Sequence, residues 1–313
     1  MNFSTYLLKR LRCPRTHQKL LLENNFLITK DKKLIRYPLV NNIPILINED
    51  TSLFSFGDFV NRKNTTWNLK QKKIYKIIEN FSPSIGLNLK AKKNFKKIHK
   101  LLPSNAKILV VGGGIEGVGI DVLYKESSFE IIGMDVSFAP KTNLIADGHD
   151  IPFEDSTFDC VIIQAVLEHV LDPARCIHEI HRVLKVSGLV YAETPFMQQV
   201  HMGAYDFTRF THLGHRRLFR RFVEIEHAPL MGPGSSLAWA YTYFLASFTS
   251  SKHLGMLIKI FAHSTSFFLK YFDYYLIDKP GSYDAASAFF FLGKKSKKEL
   301  SDKELLKEFK GKI

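Results

Sequence analysis

Three glycines, Gly112, Gly114 and Gly117, follow the apolar run Lys107-Ile108-Leu109-Val110-Val111 and precede Val118, Ile120, Val122 and Leu123. A buried strand that breaks into a glycine turn and then a helix has this pattern. The G-x-G-x-x-G spacing permits a tight turn, close approach of a ligand and close helix–strand packing. A second strand, 130–135, ends in Asp135, 23 residues after Gly112. A carboxylate there can accept both hydroxyls of a ribose in charge-assisted hydrogen bonds. On these two elements alone a dinucleotide and an adenosyl cofactor fit equally well.

Further along, Gln164 and the pair Glu168-His169 leave the carboxyl end of a strand spanning 158–164. In an open parallel sheet the ligand sits outside the carboxyl ends of the strands, so these side chains should face it. His169 there can act as a general base, and Glu168 can orient an acceptor. The competing reading is structural, a pair that only fixes the loop. After a fifth strand, 188–194, the run 195–211 alternates polar, ionisable and aromatic groups. So many polar groups in one loop need partners, in a ligand or in one another. His201 is the second candidate for catalysis; Tyr205, Asp206 and Arg209 are candidates for the acceptor wall. Asp206 and Arg209 can equally form a structural ion pair.

The series Ala146-Asp147-Gly148, Ser156-Thr157-Phe158-Asp159, Leu167-Glu168-His169, Asp172-Pro173, Arg182-Val183-Leu184 and Thr194-Pro195-Phe196 closely resembles the class I methyltransferases that use S-adenosylmethionine. The likeness runs from about Ala106 to Leu230, chiefly to the group that methylates small molecules. It implies an α/β, Rossmann-like seven-stranded sheet with one reversed strand. It also implies Asp135 on the ribose, Asp147 on the adenine amino group, and a cofactor site completed by Gly112, Gly114, Glu116, Gly117, Val136, Gly148 and Gln164. One place departs from the family, which usually has an acid two residues before the first glycine; here it is Val110. Glu116, inside the loop, is the residue that could take over the contact to the cofactor's ammonium. Its bland alternative is a solvated loop residue.

The elements that must position these groups occupy the middle of a chain of 313 residues, 45% of them hydrophobic. That is enough for one α/β core with smaller attachments. Residues 1–107 hold 22 basic against 6 acidic residues, whereas 108–234 hold 10 against 17. The basic character of the chain therefore belongs to its flanks, which can hold phosphates or an anionic membrane surface, or be plain solvated faces. Three scattered cysteines fit a reducing compartment and no disulfide framework. With no cleavable signal in the first residues, the expected location is cytoplasmic.

Residues 1–50 read as a small β-rich module closed by a hairpin at Asn41-Asn42. It resembles the zinc-ribbon-like platform found beside or fused to several methyltransferases. Only Cys13 and His17 stand where metal ligands would be needed, so a metal-free version is expected and no metal is assigned to the chain. Residues 51–106 carry two amphipathic helices, Trp67 to Phe81 and Leu87 to Leu102, as a linker or lid. The catalytic domain spans 107–293, with a helical insertion at 235–277 before the last strand, and 294–313 form a charged, mobile tail. In the insertion, Lys259, His263, Ser266 and Lys270 make one narrow polar stripe. A helix this apolar must bury most of its girth, against the sheet, another subunit or a membrane interface at the inner face of the cell membrane.

The expected activity is methyl transfer from S-adenosylmethionine to an oxygen or nitrogen of a small-molecule, glycan or lipid-linked acceptor. The alternatives are an RNA methyltransferase using the basic flank, the less favoured reading, and a non-catalytic partner that Val110 has disarmed.

Overall fold

The computed structural model describes residues 3–30, 34–61, 65 and 83–312. The helix expected over Trp67 to Phe81 lies outside the described residues. Among the described residues eleven strands, numbered in chain order from β1 (Leu21–Glu23), β2 (Phe26–Ile28), β3 (Arg36–Val40) and β4 (Ile43–Leu46), form one sheet in the order β1-β2-β3-β4-β7-β6-β5-β8-β9-β11-β10. The strands of the expected core are β5 (Lys107–Val111), β6 (Glu130–Asp135), β7 (Thr142–Ala146), β8 (Phe158–Gln164), β9 (Leu184–Pro195), β10 (Phe222–Met231) and β11 (Ala288–Lys295). Strands β7, β6, β5, β8 and β9 run parallel, and β11 is antiparallel to both β9 and β10. This is the seven-stranded sheet with one reversed strand.

Why β5 lies at its centre is visible in its sequence. Ile108 and Val110 point to one face, where they meet Phe95 and Ile98 of the helix Ala91–Leu101. Leu109 and Val111 point to the other, against Ile177 and Ile180 of the helix Pro173–Val183. Both faces are covered, so the run needs no polar alternation. The helix expected from Leu87 begins at Ala91 instead. The Asn88 carbonyl accepts the Ala91 N–H at 2.9 Å, while Leu87 and Leu89 donate to Ser235 and Leu230.

The first fifty residues are not set apart. Strands β1 (Leu21–Glu23), β2 (Phe26–Ile28), β3 (Arg36–Val40) and β4 (Ile43–Leu46) form an antiparallel meander. The turn between β3 and β4 is made by Asn41 and Asn42, both left-handed. Strand β4 then adds to β7 in parallel, Ile45 opposite Ile145 and Leu46 opposite Ala146. Leu7, Leu11, Cys13 and Tyr37 share one core with Leu109 and Val111. Cys13 is fully buried, its sulfur 3.0 Å from the Tyr37 hydroxyl.

The insertion buries less of its apolar girth than expected. The helices Pro233–Ala246 and Lys252–Ser266 pack on each other, yet Ser266 and Lys270 of the polar stripe turn inward. Lys270 donates to the Ser84 carbonyl at 2.6 Å. Phe244, Phe248, Leu257, Phe261 and Phe268 are each at least half exposed. Lys270 and Ser266 find partners only in protein, so the apolar rings take the outside. No helix among the described residues is long and apolar enough to cross a membrane.

The charged tail is docked rather than loose. Leu305 is buried, Glu308 pairs with the buried Arg216 at 2.7 Å, and Lys310 pairs with Glu224 at 2.9 Å. Beneath it His212, His215 and His227 are all buried, His212 stacked on His227 and His215 3.2 Å from it. Burial lowers His212 to about 4 and His215 to about 3, and holds His227 far below its ordinary value. All three are neutral in the folded chain at pH 7, so they contribute no pH dependence there. Below pH 6.5 the unfolded chain binds protons that the folded chain refuses, and stability falls toward the folded values. Between pH 7 and 5 this costs about 2 kcal/mol for each of His212 and His215. Denaturant titration across that range should therefore show steep acid destabilisation, which phenylalanine at position 227 would reduce.

Candidate active site

The glycine turn puts backbone where a side chain would block the cleft. Gly112 is left-handed, with φ 69°, and a Cβ there would lie 2.2 Å from Val166 Cγ2. At Gly114 a Cβ would lie 2.7 Å from the Asp135 carboxylate, whose Oδ2 accepts the Gly114 N–H at 2.9 Å. Only glycine lets the turn close on that carboxylate. Burial raises the Asp135 carboxyl, and backbone N–H groups of Gly114, Ser137 and Val136 partly offset this.

Below the turn opens a cavity of about 300 Å³, formed at the carboxyl ends of β5, β6, β7 and β8. Its wall includes Gly112, Glu116, Gly117, Asp135, Val136, Asp147, Gly148 and Gln164. Gly114, the remaining cofactor candidate, stands behind Asp135. Val110 faces the opposite way, buried against the helix Ala91–Leu101. Glu116 pairs with Lys141 at 2.6 Å, and both are about two-fifths exposed.

Asp147 is held from two sides. Its Oδ1 receives the His149 N–H at 3.0 Å and the His149 ring Nδ1 at 2.6 Å, while Ser52 Oγ donates to Oδ2 at 2.6 Å. Since the Asp172 N–H reaches His149 Nε2, the ring proton belongs on Nδ1. Burial pushes the Asp147 carboxyl up, but His149 and Ser52 outweigh it and leave it below the ordinary value. Thr51, Leu53 and Phe54 also line the cavity, and Phe54 stacks on Tyr205 at 6.1 Å. Nothing local marks these residues in the sequence. Serine and threonine before a linker look like any turn.

At the other end of the cavity His169 and Tyr205 form the wall. His169 Nδ1 lies 2.7 Å from the Tyr205 carbonyl. The His201 ring packs edge-on against His169 at 5.0 Å, and Glu168, 1% exposed, lies between them and the core. Burial lifts the Glu168 carboxyl to about 8; Asp206 and Glu193 add to the rise, and Arg209 opposes it. Asp206 and Arg209 face each other, not the cavity: Arg209 Nη2 meets Asp206 Oδ2 at 3.0 Å. The remaining Arg209 donors serve the carbonyls of Gln198, Gln199 and Thr208, and Asp206 accepts the His201 N–H at 2.9 Å. The pair braces the loop that carries His201. The insertion packs beside this loop: Tyr243 donates to the Val200 carbonyl at 2.7 Å, and the half-buried Trp239 ring lies 6.1 Å from His201.

Residues 109–192 match the family model of a methyltransferase domain. The chain is 39% identical over 88 residues to an uncharacterized protein of Methanocaldococcus jannaschii, covering 25% of this chain and 42% of that one. It thus spans less than half the length of that relative. A ubiquinone/menaquinone biosynthesis C-methyltransferase of Geotalea daltonii is 26% identical over 200 residues, 56% of this chain and 79% of that protein. Among solved structures, a phosphoethanolamine N-methyltransferase of Haemonchus contortus in complex with S-adenosyl-L-methionine overlays with a TM-score of 0.46 and 17% identity, covering 89% of this chain and 71% of that one.

Proposed function

We propose that this chain, which carries a Rossmann-like methyltransferase domain of the kind that takes S-adenosylmethionine, is an enzyme that methylates an oxygen or nitrogen of a small, glycan or lipid-linked acceptor. The observation that carries the reading is the single cavity that runs from the Asp135–Gly114 turn to the His169–Tyr205 wall. A nucleoside with a zwitterionic tail fits such a cleft. Asp135 would take the ribose hydroxyls, Asp147 with Gly148 the base, and the backbone of the glycine turn the tail, beside the Glu116–Lys141 pair.

The sulfonium supplies a methyl carbon already activated for in-line displacement. The protein has to align the acceptor and exclude water, and most of the rate comes from that positioning. The loop 197–206, roofed by Trp239 and Tyr243, would do this. A hydroxyl acceptor must also lose its proton, and His169 in the cavity wall, with His201 packed against its ring, would be the group to take it.

The exposed apolar face of the insertion supports an acceptor that is lipid-linked, because rings at an interface would bring such a molecule to the roofed end of the cavity. The test is transfer of labelled methyl from S-adenosylmethionine into a cell extract that is then separated into water-soluble, glycan, lipid and RNA fractions. Label should enter the lipid or glycan fraction. Label confined to RNA would replace this reading with the nucleic-acid one, and no label in any fraction would remove it.

A further inference from the structure

Glu168, His169 and His201 come from two segments more than thirty residues apart in sequence, and their side-chain donors all lie within 4.8 Å of one another. The arrangement is expensive as it stands. Glu168 is 1% exposed, and neither carboxylate oxygen has a hydrogen-bond partner on another residue. Buried carboxyl groups ordinarily have donors or a cation.

The two imidazoles are turned to offer lone pairs to the same oxygen. His169 gives its Nδ1 proton to the Tyr205 carbonyl at 2.7 Å, which leaves Nε2 bare. His201 Nδ1 lies 3.2 Å from the Gln199 carbonyl and 3.5 Å from both Asp206 and Arg209 Nη2. In the tautomer that donates the Nδ1 proton to Gln199, its Nε2 is bare as well. These nitrogens stand 3.6 and 4.0 Å from Glu168 Oε1, beyond hydrogen-bond range. Around an ion with bonds near 2.0–2.2 Å, neighbouring ligand atoms lie about 3.0–3.4 Å apart. Glu168 thus needs to draw toward each ring by about 1 Å or less, and the two rings, whose ligand atoms lie within 4.8 Å, by no more than about 2 Å. A ring whose other nitrogen is fixed by a carbonyl is also how metal-binding histidines are held.

We propose that Glu168, His169 and His201 hold one divalent transition-metal ion at the acceptor end of the cavity. The sequence assigned no metal to this chain; the fold brings the ligands together. Two imidazoles and one carboxylate suit Zn²⁺ and its neighbours and discriminate against Mg²⁺ and Ca²⁺. Three protein ligands leave open positions for an acceptor oxygen. The role of the ion rests on the methyltransferase reading above, although its binding does not. Coordination lowers the pKa of an acceptor hydroxyl, whose proton leaves to bulk water. The oxygen lone pair then forms the bond to the methyl carbon. The carbon–sulfur bond breaks with its electron pair remaining on sulfur, and neutral S-adenosylhomocysteine is left.

The test uses the full chain, freed of metal by chelation and titrated with Co²⁺. About one Co²⁺ per chain should bind, with visible absorption that Zn²⁺ abolishes by displacement. Glu168→Gln and His201→Ala should each weaken binding by more than about 100-fold, beyond the effect of losing an outer partner. His253→Ala, on the exposed insertion, should leave it unchanged. Binding of S-adenosylhomocysteine by every variant shows that the fold is intact. Wild-type protein that binds the nucleoside and no Co²⁺ overturns the proposal, as does Co²⁺ binding that survives both ligand substitutions. Protein that binds Co²⁺ through these residues but no S-adenosylhomocysteine keeps the metal site and loses the methyltransferase reading.

Discussion

Asp135→Ala is expected to lower the affinity for S-adenosylhomocysteine about 100-fold. Two charge-assisted hydrogen bonds to the ribose, at about 1.5 kcal/mol each, make about 3 kcal/mol. The carboxylate has a second task, since its Oδ2 holds the Gly114 N–H at 2.9 Å and so keeps the glycine turn closed. Removing it strips the ribose contact and loosens the turn together. Asp135→Asn keeps the shape and one acceptor, so its loss should be nearer 10-fold. Calorimetric titration at pH 7.5 measures both. If the alanine variant binds as tightly as the parent, the ribose does not lie on Asp135, and the cleft has to be read from another end.

Asp273→Ala should remove roughly 3 kcal/mol of stability, from one fully buried side chain in the insertion. The helix Pro233–Ala246 starts at Gly232, which has no side chain to cap it. Asp273 caps it from forty residues away. Its Oδ1 accepts the Gly234 N–H at 2.7 Å, and its Oδ2 accepts the N–H groups of Gly232 at 3.2 Å and Ser235 at 3.0 Å, with the Ser235 hydroxyl at 2.7 Å. Alanine would leave three buried N–H donors and the Ser235 hydroxyl unmet at the positive end of a helix, where a carboxylate is worth most. Asp273→Asn keeps one acceptor and should lose about half as much. Urea denaturation followed by tryptophan fluorescence suits the question, because Trp239 lies on that helix. A loss below about 1 kcal/mol would mean that the backbone donors find other acceptors.

What could be read from the residues alone was whatever is local and periodic. Lys107–Val111 and Phe158–Gln164 are apolar throughout because both faces of the central sheet are covered. Their motifs therefore carried Asp135, Asp147 and the Glu168-His169 pair to one sheet edge. The contacts that complete the site are long-range and leave no mark in sequence. Ser52 reaches Asp147 across ninety-five positions, and Trp239 packs beside His201 from beyond the next strand. The insertion misled for a physical reason: so apolar a face was expected to be buried, but Lys270 and Ser266 take inward places against protein carbonyls. The tail looked free because its charges are dense. Arg216 and Glu224 give those charges somewhere to go.

The pairing of β4 with β7 ties the opening of the chain to its chemistry. Leu46 is seated beside Ala146, the next residue is Asp147, and the chain that leaves β4 returns within six residues to place Ser52 on that same carboxylate. A base gripping Asp147 must therefore favour the state in which residues 43–52 are clamped. By reciprocity, whatever steadies that clamp tightens the grip by an equal factor. On the proposed placement of the base, the first fifty residues would then act less as an ornament than as a tuning weight on the nucleoside equilibrium.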